Sequence, residues 1–65
     1  SSIEIVIDRA GSHNVRILDL NGRIIREWAT SSMVERVNIT DFASGVYIVK
    51  VSQGDAHSVY RLAVD

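Results

Sequence analysis

A chain of 65 residues with 46% hydrophobic and 23% charged side chains, and with neither cysteine nor proline, makes one small domain at most. It offers no disulfide framework, zinc ribbon, iron–sulfur cluster or thiol nucleophile, and it is too short for an enzyme core with a walled active site. Seven basic against eight acidic residues leave a net charge of -1, which gives no electrostatic footprint for nucleic acid or anionic lipid.

Ile3, Ile5 and Ile7 alternate with Glu4, Val6 and Asp8, the period-two pattern of a strand with a buried face. Gly11, Ser12 and Asn14 mark a turn, and His13 is read with them as a surface residue. Two β-prone runs, Val15 to Leu20 and Arg23 to Trp28, then flank Asn21-Gly22, a strong hairpin signal. Two registers are open. A two-residue type I′ loop pairs Arg16 with Glu27; a three-residue loop with Gly22 as a G1 bulge pairs Ile17 with Ile25. Asp19, a good first residue of a type I turn, tips the reading towards the bulge.

Ala29 to Met33 connects to a strand from Val34 to Ile39, with Val37 and Ile39 inward. Thr40 to Ser44 form a compact link whose Phe42 plugs one end of the core. Gly45 opens Val46 to Val51, the most β-prone run and the natural central strand. Gln53-Gly54-Asp55 turns the chain into a last strand, Ser58 to Val64. No stretch has helical periodicity with caps. The expected fold is all-β, a small antiparallel immunoglobulin-like sandwich of about six to seven strands. Without proline its edge strands lack one common protection, and Arg16, Arg26, Glu35 and Arg36 are expected to discourage edge pairing instead.

Ordering such a chain costs about 1.5 kcal/mol per residue, and burial at roughly 25 cal/mol per Å² comes close to offsetting it. With no disulfide to help, the chain must bury nearly all its aliphatic residues, pack on another domain or oligomerise. Residues 1–65 therefore read as a single module cut from something larger. It opens Ser1-Ser2-Ile3, without a charged leader or a membrane-spanning run.

Side-chain chemistry argues against catalysis. Asp8, Ser12 and His13 are the right types for a triad, but no glycine-flanked nucleophile or oxyanion loop accompanies them. His13 and His57 supply only two metal ligands. Asp19-Leu20-Asn21-Gly22 lacks the later oxygens of a calcium loop. Trp28 is read as core before ligand platform. Asn38-Ile39-Thr40 fits a glycosylation sequon but sits in an expected strand. The reading is non-enzymatic, without metal or other cofactor.

Val15 to Arg23, V-R-I-L-D-L-N-G-R, resembles the V-x-I-x-D-x-x-G-K/R hairpin of the C-terminal sorting domains of the type IX secretion system. Ile39 to Val51 resembles their I-x-x-L-x-S-G-x-Y-x-V-x-V segment, and Tyr60 to Val64 their closing strand. The likeness spans nearly the whole chain. It departs in having no proline-containing opening segment and in ending on Asp65.

The resemblance implies a secretion signal at the C-terminus of a protein exported by Bacteroidetes-type bacteria. Such cargo crosses the periplasm to the outer-membrane surface or the medium. The implied partners are the type IX translocon and a cell-surface sortase that removes the domain and joins the cargo to anionic lipopolysaccharide. Some members keep the domain and serve in the attachment machinery. Asp19, Gly22, Gly45, Tyr47, Tyr60 and Arg61 are the residues it marks for partner recognition. Open sheet edges also leave room for a homodimer. A plain immunoglobulin-like module that binds carbohydrate or spaces a larger enzyme is the competing class.

Overall fold

The computed structural model describes residues 1–65 as six strands in two antiparallel sheets, without a helix. The strands are β1 (Ser2–Val6), β2 (His13–Leu18), β3 (Ile24–Thr30), β4 (Val34–Asn38), β5 (Gly45–Gln53) and β6 (Ala56–Val64). A two-stranded sheet, β1-β4, packs on a four-stranded one ordered β3-β2-β5-β6. This is a small β-sandwich with β2 and β5 at the centre of its larger sheet.

Alternation fixes what lies between the layers. Ile5 and Ile7 from the first strand region meet Val37 and Ile39 from the fourth. Val15 and Ile17 of β2, fully buried, and Tyr47, Val49 and Val51 of β5 complete the core. Ile3, Trp28, Phe42, Leu62 and Val64 pack around it half-buried. The Trp28 indole N–H donates to Glu35 Oε1 at 2.8 Å, tying β3 to β4 across the layers. That bond satisfies a polar tip where an aromatic body fills the core edge.

Neither expected hairpin register is complete. Gly22 N–H donates to the Asp19 carbonyl (3.1 Å) and Asp19 N–H to the Arg23 carbonyl (2.9 Å), which encloses a three-residue loop. Gly22 has φ 86° and no other residue of the turn has positive φ, so the type I′ loop is excluded. The G1-bulge turn is therefore present. Yet a second irregularity lies between Ile17 and Leu18, where Ile24 and Arg26 are paired and Ile25 is left over. Beyond it Ile17 faces Arg26, not Ile25, and Arg16 faces Glu27. One extra residue shifts the ladder by one.

Two further expectations need correction. His13 is not a surface turn residue: it opens β2, where the period that buries Val15 and Ile17 buries it too, at 2% exposure. Arg16 guards no edge, because β2 lies inside the four-stranded sheet.

Candidate recognition site

Two strands cannot cover four. With strands about 4.8 Å apart, the smaller sheet spans roughly half the width of the larger one. The uncovered margin appears between β1 and β6, as an apolar groove of about 290 Å³ lined mainly by Ile3, Ile5, Val49, Tyr60 and Leu62. Tyr60 lies opposite Val49, on the core side of the sheet, but remains 47% exposed because nothing is layered over it. Both strands flanking the groove are sheet edges.

The β6 edge is regular. Its nine residues pair with β5 without interruption, from Gly45↔Val64 to Gln53↔Ala56, and with nothing on the other side. Gly54 (φ 58°) followed by an Asp55 of negative φ gives the two-residue type II′ turn that joins them. Val59 and Tyr60, in mid-strand, are both largely exposed. A long edge of this kind, uninterrupted by a bulge or a proline, is a template for another strand.

The six residues marked for recognition fall into three places. Asp19 and Gly22 form the β2–β3 turn, where Asp19 Oδ1 accepts the backbone N–H groups of Asn21 and Arg23, each at 2.9 Å. The Arg23 backbone bond, with that of Asn21 and the nearby Arg23 charge, holds the Asp19 carboxyl below its ordinary pKa. Gly45 begins β5 with φ 150°, opposite Val64. Tyr47 turns into the core: its hydroxyl donates to the Ala43 carbonyl at 2.6 Å, and its ring lies 5.1 Å from that of Phe42. Only Tyr60 and Arg61 lie together on the open strand, on its two opposite faces. Fold-building accounts for Tyr47, and the turn chemistry accounts for Asp19 and Gly22.

The groove has no counterpart in the sequence reading, because it depends on which strand stops short over which. Its signal was indirect: Tyr60 and Leu62 carry the inward period of a strand whose cover the chain does not supply. His13 presents a different case, with both ring nitrogens buried and without hydrogen-bond partners. It borders a small cavity of about 20 Å³ shared with Asp8, Arg9, Gln53, Ser58 and Tyr60. No group of three or more His, Cys, Asp or Glu side chains converges anywhere in the chain to hold a metal ion.

A family model, described as the secretion system C-terminal sorting domain, matches residues 1–65, the entire chain. No curated protein and no solved structure matches it.

Proposed function

The chain belongs to the secretion system C-terminal sorting domain family, and on that premise we propose that the type IX machinery reads it as a template for strand addition along β6. As a type IX sorting signal the domain interacts with that secretion system and directs its protein across the outer membrane, to the cell surface or beyond. The finer steps are our reading. The cargo waits in the periplasm, the translocon engages β6, and a sortase then removes the domain and joins the cargo to anionic lipopolysaccharide. The role is recognition, not catalysis.

The observation that carries this is the unpaired length of β6 beside the apolar groove. The closing pair of a two-residue hairpin exchanges both of its backbone bonds, and every second pair after it does the same. By that alternation Val51↔Ser58, Val49↔Tyr60 and Tyr47↔Leu62 bond each other, while His57, Val59, Arg61 and Ala63 turn their N–H and C=O groups outward. An added strand bonds those groups, sets one row of side chains beside Tyr60 and Leu62, and meets Arg61 with the other row. Gly45 and Tyr47 contribute by holding β5, on which β6 is built, and Asp19 and Gly22 by fixing the opposite hairpin.

The test is export of a fluorescent reporter carrying a signal peptide at its start and this chain at its end. Val59→Pro removes an outward donor without touching the β5–β6 bonds, so the domain stays folded while export is lost. Val59→Thr keeps the donor and keeps export. Undiminished export of a folded Val59→Pro chain would discard the edge as the recognition element. The size of the surface reporter decides cleavage: loss of the 7.2 kDa domain marks sortase removal, and its retention an uncleaved component of the machinery.

A further inference from the structure

The first half of β5, from Val46 to Val49, is apolar on both faces, while Lys50 and Ser52 follow on the outer one. Tyr47, Val49 and Val51 are buried in the core, and Val46 and Ile48 alternate with them on the opposite surface of the sheet. A run of this kind is the mark of a strand covered from both sides. Here the second sheet covers only one. On the outer face Val46, Ile48 and Leu18 are half-buried and Ile24 and Val59 exposed, where a sheet facing water carries polar residues.

The charges on this face are lopsided. Arg16, Lys50 and Val59 form one cross-strand row, and Leu18, Ile48 and Arg61 the next. Arg16 is engaged by Glu27, which faces it on β3. Neither Lys50 nor Arg61 has an ion-pair partner. Glu27 is the one carboxylate whose register falls on this face; the other acids lie on turns, at the last residue or on the smaller sheet. A chain with net charge -1 thus presents a cationic surface with an aliphatic centre.

The geometry points to this outer face as a docking surface for an acidic protein partner. The partner's carboxylates meet Lys50 and Arg61, and its aliphatic side chains cover Ile48, Leu18 and Val59. A second copy is the wrong occupant, since two such faces would set Lys50 and Arg61 against their own kind. An anionic membrane fits poorly as well. The aromatic anchors of interfacial binding are missing, because Trp28, Phe42 and Tyr60 all lie on the core side. The inference rests on the sorting reading, in that its partner is sought in the export machinery, but it concerns side chains of the outer face, Lys50 of β5 with Val59 and Arg61 of β6, and not the backbone groups of the β6 edge.

The same reporter tests it, with Lys50→Glu and Arg61→Glu together, and with Lys50→Gln and Arg61→Gln as the neutral pair. Export of the reversed pair falls about tenfold or more, and that of the neutral pair falls less, both with native circular dichroism. If the reversed pair unfolds, the single Lys50→Glu change carries the same expectation. Native-like export of the reversed chain overturns the proposal, and so does equal loss in both pairs, since charge is then not what is read. Dimerisation of the chain in sedimentation, or its capture by phosphatidylglycerol vesicles in a manner lost on reversal, overturns it in favour of those occupants. Loss with Val59→Pro beside native-like export of the reversed pair sinks this proposal and leaves the edge reading standing. Retention of the native chain sinks both.

Discussion

The larger sheet contains two hairpins built in opposite ways. In β2–β3 a three-residue loop, a G1 bulge at Gly22 and an unpaired Ile25 leave an edge strand that is bent and out of phase with its partner. In β5–β6 a two-residue turn joins nine pairs with no irregularity. Bulges twist an edge away from further pairing, whereas a straight edge invites it. The molecule closes one side of its sheet and leaves the other available. With no proline, the charges of Arg16, Arg26, Glu35 and Arg36 were expected to discourage edge pairing; the bulge adds a protection to β3 that the regular β6 lacks.

The largest effect expected comes from the strand both halves of the sheet depend on. Ile17, fully buried on β2, supports the hairpin and the β5 pairing at once. Ile17→Ala should cost about 2–5 kcal/mol, enough to unfold much of so small a domain at room temperature. Urea denaturation followed by Trp28 fluorescence measures it. A cost under about 1 kcal/mol would mean that the core is not organised around β2.

Next come the two turns. Gly22→Ala and Gly54→Ala each force a side chain into positive φ, at φ 86° and φ 58°, with open space around the new methyl group. Each should cost about 1–2 kcal/mol by the same measurement. Equal costs would show that the hairpins differ in their ladders and not in how firmly their turns are set.

Asp19 separates the turns by pH. Its folded pKa is lowered, mainly by the Arg23 backbone hydrogen bond, from an ordinary value of 3.8. The stability it contributes is present in full above pH 3.8 and is lost as pH falls through the lower folded value. Melting temperatures between neutral pH and strong acid should show a decline that Asp19→Asn removes. An unchanged acid slope in that variant would assign the decline to other carboxylates. The smallest effect on stability should follow deletion of Ile25, which is 37% exposed and has no ladder partner. Removing it brings β3 into phase and straightens its edge, so light scattering should show more self-association while the melting temperature barely moves.

The strands were legible because period-two alternation and the glycine turns are local signals. Every expected strand is present, with Ile5, Ile7, Val37, Ile39, Val49 and Val51 inward as their spacing requires. The turn at Asp19 to Gly22 was legible too, since the side chain and the glycine act within a few residues. The bulge at Ile25 was not. Nothing in Arg23-Ile24-Ile25-Arg26 distinguishes the isoleucine that pairs from the one that does not; only the assembled ladder, with Leu18 facing Ile24 and Val15 facing Trp28, shows it. His13 was missed for a related reason. Its type and its neighbours spoke for a surface turn, and only membership of β2 overruled them.

By itself the sequence determined the strands, the glycine turns between them and the family to which the chain belongs. Those follow from backbone preferences and side-chain alternation, which act over a few residues. Tertiary structure alone decided which strands became edges, where two strands failed to cover four, and how balanced charges separated onto one face. These depend on pairing between segments far apart in the chain, whose free energy lies in contacts that no local pattern encodes. The surfaces proposed for recognition are of this second kind.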